Sequence, residues 1–194
     1  LYGVRTDTKE FSREVSQADF EAAASLVAYV DGSAIQRIES PSTTAETLDI
    51  IADAIANRCI EKNVLTTCVG ELRDRDALPQ AADKLLEMNG VSTTLVFGYT
   101  GEMVFISARS RDDDIDLGEV LRNAFGQIGS AGGHGEMAGA QIPVGMLLEG
   151  TGETDRGEVI EETITERFFE TLGIPMSRAA EHVYADFLGT DGFE

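Results

Sequence analysis

The sequence is poor in lysine and histidine and has no tryptophan. Its 194 residues include two histidines, two cysteines and three lysines, Lys9, Lys62 and Lys84. With 35 acidic and 15 basic residues, the formal charge is -20. Such a chain is not suited to a broad electrostatic grip on nucleic acid, which needs many cation–phosphate contacts. Any site for phosphate must therefore be local.

The excess of acid and the shortage of lysine predict a halophile's protein; an ordinary acidic cytosolic domain is the alternative. Carboxylates repel one another in dilute buffer, whereas at molar salt the screening length falls to about 3 Å. We therefore expect the Tm to rise markedly between dilute buffer and molar KCl, measured by thermal scans across a KCl series. A flat or falling series would contradict the halophilic interpretation.

The cysteines and the apolar runs give no sign of a disulfide or a membrane span. Cys59 falls in an apolar helical pattern and Cys68 in an apolar strand, which predicts buried free thiols rather than a disulfide or metal pair. We find neither a membrane-length apolar run nor a secretory signal, so we expect a soluble cytoplasmic protein.

Apolar periodicity predicts an α/β fold, a mixed sheet with helices packed on it. The predicted elements are a strand at 64–72, a helix at 78–86, a hairpin of strands at 93–99 and 103–108, a helix at 117–125, a strand at 141–148 and a helix at 157–172. Capped helices are also predicted from Ser16 and from Thr43 to about Cys59. The apolar stripe of the last helix predicts that this face of the helix packs in the core or in a dimer interface.

Residues 129–139 form a glycine-rich segment that contains one of the two histidines. Glycines allow positive φ angles, and the exposed N–H groups of such a turn can bind an anion. His134 would add a side-chain donor, which it can do while neutral. A plain connecting loop is the alternative.

Two arginines follow the second strand of the predicted hairpin. Arg109 and Arg111 are two residues apart, so on an extended chain they share a face, and their planar guanidinium groups suit phosphate. The alternative is that they neutralise the acids that follow, Asp112, Asp113, Asp114 and Asp116.

Together these segments resemble the DHHA1 domain of the Asp-His-His (DHH) phosphoesterase superfamily. That family has S-x-R-S at a strand end, then a helix, then a G-G-G-H-x-x-A-x-G loop. Residues 107–110 and 131–139 match, except that Ala131 replaces the first glycine. The resemblance implies a DHHA1-like mixed β-sheet flanked by helices, with substrate bound by Arg109, Ser110, Arg111, Gly132, Gly133 and His134.

Residues 1–8 with Phe11 resemble the last motif of the family's catalytic DHH domain. Asp7 stands where that motif has a metal-ligating aspartate; an ordinary Asp-Thr turn after an apolar strand is the alternative. The resemblance implies a two-metal Mn²⁺ or Mg²⁺ site, whose other ligands are not in this sequence. We therefore expect the end of a DHH domain at 1–40, a helical linker at 41–61 and a DHHA1 domain with a helical extension at 62–194.

The function implied is the substrate-binding part of a phosphoesterase, RecJ-like, oligoribonuclease-like or exopolyphosphatase-related, that acts on nucleotides, short single-stranded nucleic acid or polyphosphate. The chain alone would be inactive, because one carboxylate cannot hold two metals. The alternatives are a noncatalytic nucleic-acid or nucleotide-binding module, as at the end of alanyl-tRNA synthetases, and an inactive remnant that senses nucleotide. A homodimer stays open. His182, near Glu181 and Asp186, is expected at the surface.

Overall fold

The computed structural model describes residues 1–8, 11, 15–39, 43–148 and 155–176. The chain divides into two compact units, Leu1–Thr43 and Thr44–Glu194. The three predicted domain boundaries stay predictions, and the expectation for His182 lies outside the described residues. None of the described helices is long and apolar enough to cross a membrane.

The first unit contains three helices, α1 (Tyr2–Asp7), α2 (Gln17–Val27) and α3 (Gly32–Glu39). The capping box predicted for α2 is confirmed, because the side chains of Ser16 and Asp19 each accept a hydrogen bond from the other residue's backbone N–H. The strand predicted at the start of the chain is wrong. None of the described residues of this unit forms a strand that could pair with it, whereas a helix satisfies its backbone groups internally.

The second unit is built on a six-stranded sheet in the order β1-β2-β3-β4-β6-β5. Its strands are β1 (Cys59–Glu61), β2 (Val64–Glu71), β3 (Thr93–Tyr99), β4 (Met103–Ser110), β5 (Ser130–His134) and β6 (Met137–Pro143). Strands β2 and β3 are parallel, and every other neighbouring pair is antiparallel. Its helices are α4 (Ala45–Ala56), α5 (Ala77–Leu86), α6 (Leu117–Phe125), α7 (Gly145–Leu148) and α8 (Arg156–Thr171). The predicted α/β class is confirmed.

Helices cover the two faces of the sheet unequally. On one face, α4 and α5 pack over β2, β3 and β4 around a core that includes Leu65, Leu78 and Val96. On the other face, α6, α7 and α8 pack around a larger core that includes Phe125 and Phe168. Among the described residues of the second unit, no helix packs on the α4/α5 side of β6 and β5, and we call this side of β4, β6 and β5 the open face.

Several predicted elements are confirmed with small shifts. The hairpin is β3–β4, α6 begins at the N-cap Asp116, and α8 ends before Gly173, whose φ is +66°. The apolar stripe of α8 is core, because Ile160, Ile164 and Phe168 are fully buried in the chain's own larger core. Those three side chains therefore offer no surface for a dimer.

The glycine-rich segment is not the open turn that the sequence predicts. Residues 130–134 form the edge strand β5, which pairs with β6 through a tight turn at Gly135 and Glu136. The segment is extended because its alanines alternate: Ala131, Ala138 and Ala140 all face the core under α6. The strand predicted to run to residue 148 ends at Pro143, which has no N–H to continue a ladder, and α7 follows.

Both cysteines are free thiols, as the sequence predicts. Cys68 is buried in β2, and burial raises the pKa of its thiol to about 11. Cys59 lies in β1, half-buried, and not in the preceding helix, which ends at Ala56. The helix stops there because Asn57 caps it and then turns its side-chain amide to donate to the Cys68 carbonyl at 3.1 Å.

Candidate functional site

The open face carries three rows of residues that run across β4, β6 and β5. The register pairs them as Phe105–Gln141–Ser130, Ser107–Gly139–Gly132 and Arg109–Met137–His134. Directly paired residues point to the same face, and neighbouring strands are about 4.8 Å apart. We name these the Phe105 row, the Ser107 row and the Arg109 row.

A cavity of about 470 Å³ lies over this face, which is within the usual range of small-molecule pockets. Its floor comes from the Phe105 row and from Ser107 and Gly139 of the Ser107 row, and Arg109 lies at one end. The chain that leads into α5 forms a wall with Arg75, Asp76, Leu78 and Pro79. All of its lining residues that the structure describes belong to the second unit.

Arg109 is held in place by the protein at the edge of this cavity. Its Nε donates to Asp83 Oδ1 at 2.7 Å, and its Nη1 donates to Ser107 Oγ at 3.2 Å and to the Ala108 carbonyl at 3.0 Å. The Arg109 side chain is only 15 % exposed. A guanidinium has five N–H groups. Among the described residues these bonds use Nε and Nη1, so the two N–H groups of Nη2 are left for a ligand.

A second guanidinium covers an aromatic ring at the other end of the cavity. Arg75 Cζ lies 5.6 Å from the centroid of Phe105, a cation–π contact. The nearest carboxylate, Asp76, is 3.8 Å from Arg75 Nε, and both side chains are exposed. Such an exposed pair contributes little to stability, so Arg75 can adjust its position.

Ser110 and Arg111 do not line the cavity. Ser110 is buried on the opposite face, where its hydroxyl lies 3.0 Å from that of Thr93 and accepts the Asp112 N–H at 3.0 Å. We therefore read Ser110 as a structural residue at the strand end. Arg111 is exposed beside α5; together with the stronger effect of Lys84 it lowers the pKa of Glu87. The partner of Arg109 is Asp83, and not one of the acids at 112–116.

The three predicted site residues of the glycine-rich segment, Gly132, Gly133 and His134, have different environments. A Cβ on Gly133 would lie 2.3 Å from the Met137 carbonyl oxygen, so only glycine fits. A Cβ on Gly132 would meet nothing within 4 Å, which leaves bare backbone beside the cavity. His134 is exposed and does not line the cavity, but it shares the Arg109 row at a distance of two strands, about 10 Å.

Asp7 is exposed at the end of α1, in the first unit. Across the part of the chain that the structure describes, no group of three or more His, Cys, Asp or Glu side chains could hold a metal ion. The described residues therefore do not form a two-metal site by themselves. The metal-ligand role of Asp7 stays a prediction.

Sequence reasoning missed the residues that make up most of the cavity. Phe105, Ser107 and Arg109 are two residues apart along β4, so they share a face of the sheet. The argument that placed Arg109 and Arg111 on one face would also have placed Phe105 and Ser107 there, if it had been extended towards the start of the strand. Gln141 could be found only by the register of β6. No sequence pattern indicated Arg75, because Phe105, which it contacts in the folded chain, is 30 residues away in the sequence.

Comparison with known proteins gives the same architecture. The chain is 44% identical over 175 residues to an uncharacterized protein of Methanocaldococcus jannaschii; this covers 90% of the chain and 36% of that protein. The chain thus spans about a third of the curated relative. An exopolyphosphatase-related protein from Bacteroides fragilis has the same fold, with a TM-score of 0.59 at 16% identity, over 87% of this chain and 49% of that one.

The family model of the DHHA1 domain matches residues 61–163. This range contains the five strands β2–β6, the last residue of β1, α5, α6 and every described residue that lines the cavity. Because the match covers more than half of the chain, the protein belongs to the DHHA1 domain family.

Proposed function

We propose that this chain is the substrate-binding part of a metal-dependent phosphoesterase of the DHH family, and that the open face holds the phosphate end of its substrate. The observation that carries the proposal is Arg109. Its guanidinium is fixed at the cavity by Asp83, Ser107 and a backbone carbonyl, with Nη2 left for a ligand.

A fixed arginine binds an oxyanion at a lower entropy cost than a mobile one, because its side chain is already ordered before the ligand arrives. Beside it, Gly132 leaves the strand backbone accessible. His134 lies in the same row two strands away and would contact a more distant part of the substrate. These groups orient the substrate and contribute no proton transfer of their own.

The reaction itself requires metal ligands beyond the described residues. Asp7 would supply one carboxylate oxygen, and the remaining ligands would come from other parts of a longer polypeptide. Bound Mn²⁺ or Mg²⁺ would supply water activation and charge neutralisation at phosphorus. The role of this chain is to present the phosphate, for which Arg109 supplies a local positive charge in a chain whose formal charge is -20.

The test is Mn²⁺-dependent hydrolysis of a panel of phosphoesters in molar KCl, by the complete polypeptide and by this chain alone. We expect turnover by the complete polypeptide and none by the chain, since the described residues form no metal cluster. Robust hydrolysis by the purified chain would contradict the proposal that the remaining metal ligands lie in other parts of a longer polypeptide. An upstream sequence without the DHH metal ligands would reject the enzyme.

In that last case the function is a binding module or a nucleotide sensor, because every described residue that lines the cavity belongs to the second unit. The two are distinguished by the upstream sequence: degraded metal ligands indicate a sensor, and an unrelated upstream domain indicates a binding module.

A further inference from the structure

An exposed methionine lies in the Arg109 row. Met137, the first residue of β6, pairs directly with Arg109 on β4 and with His134 on β5. Directly paired residues of antiparallel strands have Cβ atoms about 4.5–5.5 Å apart, and their side chains point to the same face of the sheet. The Met137 side chain therefore stands next to Arg109 on the open face, although it does not line the cavity.

The core does not bury this side chain. Met137 is 48 % exposed, whereas its neighbour Ala138 is buried in the larger core. The next two residues of β6 that take part in the rows of the open face are Gly139 and Gln141. Met137 is thus the one apolar side chain among these three residues, and it is in contact with solvent.

A thioether that solvent reaches is open to oxidation by a hydroperoxide. The lone pair of the sulfur attacks the distal oxygen of the peroxide, and the O–O bond breaks as the S–O bond forms. The proton of the transferred oxygen passes to the departing hydroxide or alkoxide, which leaves as water or an alcohol. The sulfur loses two electrons, the peroxide gains them, and the product is a polar sulfoxide that reductases convert back to the thioether.

Oxidation changes what Met137 offers to Arg109. A thioether sulfur is a weak acceptor, whereas the oxygen of a sulfoxide carries a large partial negative charge and accepts hydrogen bonds strongly. Among the described residues, the bonds of Arg109 to Asp83, Ser107 and a backbone carbonyl leave the two N–H groups of Nη2. A sulfoxide oxygen at residue 137 and a phosphate would therefore compete for the same N–H groups.

The positions of the two side chains suit this contact. Asp83 reaches Arg109 from α5, which packs over β3 and β4, and Met137 lies on the other side of β4, on β6. The guanidinium is already held in place, so it does not move away from its neighbour. Methionine is unbranched and has three rotatable side-chain bonds, so the oxidised sulfur approaches a paired residue without any movement of the backbone.

We propose that Met137 is an oxidation site that regulates the phosphate site. A hydroperoxide converts Met137 to the sulfoxide, whose oxygen accepts hydrogen bonds from Arg109 Nη2 and displaces phosphate, and reduction of the sulfoxide restores the site. The inference rests on the proposed function, because the ligand that is displaced is the phosphate bound at Arg109.

The experiment combines a peptide map with a binding titration, on the same chain before and after hydrogen peroxide. The five methionines are Met88, Met103, Met137, Met146 and Met176. Mass spectrometry should find Met137 oxidised together with Met88, Met146 and Met176, which are 40 %, 44 % and 41 % exposed. Without any ligand, the NMR signals of the Arg109 guanidinium should shift on oxidation.

The binding titration uses AMP as a phosphate-bearing probe. The Kd should rise about 5-fold on oxidation, which is the effect of about one net hydrogen bond. Treatment with the two methionine sulfoxide reductases, one for each epimer, should return the Kd to its starting value.

Variants assign the effect to Met137. Met137→Leu keeps an apolar side chain without the sulfur, and its Kd should not respond to peroxide. Met137→Gln carries an amide oxygen and should weaken AMP binding without peroxide. Met88→Leu is the matched control, because it removes an exposed methionine outside the Arg109 row and should keep the full response. Cys59 and Cys68 are present in all three variants, so their oxidation cannot cause a difference between them.

The two proposals fail in different ways. If Met137 stays reduced while the other exposed methionines are oxidised, or if the oxidised chain keeps its Kd, the regulatory inference is overturned and the phosphate site stands. If Met137→Leu loses affinity in peroxide as the wild type does, another residue causes the loss and the inference is wrong. If the untreated chain binds neither AMP nor inorganic phosphate, both the inference and the proposed function fall.

Discussion

Replacing Arg109 by alanine should weaken the binding of phosphate-bearing ligands by about 100-fold, since hydrogen bonds from a charged group contribute about 1.5–3 kcal/mol. The measurement is the Kd of the chain for AMP and, in the complete polypeptide, kcat/KM with metal affinity determined in parallel. The fold should survive, because the Asp83 carboxylate that loses its partner is 62 % exposed and is rehydrated. Metal affinity should not change.

Two further variants separate the Arg109 site from general electrostatics. Arg111→Ala removes the same charge two residues away, on an exposed side chain that does not line the cavity, and should change the Kd less than threefold. Arg109→Lys keeps the charge but lacks the fork that binds Asp83 and a phosphate at once, so an intermediate loss is expected. Equal losses in the Arg109 and Arg111 alanine variants would reject a specific site.

Alanine at Gly133 should strongly destabilise the protein, whereas alanine at the adjacent Gly132 should not. A Cβ on Gly133 would lie 2.3 Å from the Met137 carbonyl oxygen and 2.4 Å from the Ala138 Cα. Overpacking against backbone costs about 3 kcal/mol. For a chain of this size that is a fall in Tm of about 6–12 °C, measured by thermal or chemical unfolding.

Gly132→Ala is the matched control, because its Cβ would meet nothing within 4 Å. Its Tm should stay within about 2 °C of the wild type. The pair thus separates the backbone clash at Gly133 from the general effect of an added methyl group on β5. A stable Gly133→Ala, or an unstable Gly132→Ala, would contradict the assigned geometry of β5.

Local patterns predicted much of this fold because they depend on short-range physics. The cap at Ser16, the capped helix predicted from Thr43 and found with Thr44 as its N-cap, the hairpin β3–β4 and the end of α8 before Gly173 all follow from hydrogen bonds and backbone preferences within a few residues. The glycine-rich segment was predicted wrongly, because the glycines that suggest a turn also permit a close-packed edge strand. Whether the segment forms a turn or a strand depends on β6, which pairs with it, and on α6, which packs on it.

The sequence by itself determined the α/β class and the free thiols, since apolar periodicity carries these directly; a local phosphate site that contains Arg109 stays its prediction. Only the tertiary structure decided which side chains contact one another at the cavity. Asp83 reaches Arg109 from 26 residues away, Arg75 reaches Phe105 from the chain before α5, and Gln141 joins them through the β4–β6 register. Contacts between distant segments depend on how the helices and strands pack, and no local periodicity encodes that packing.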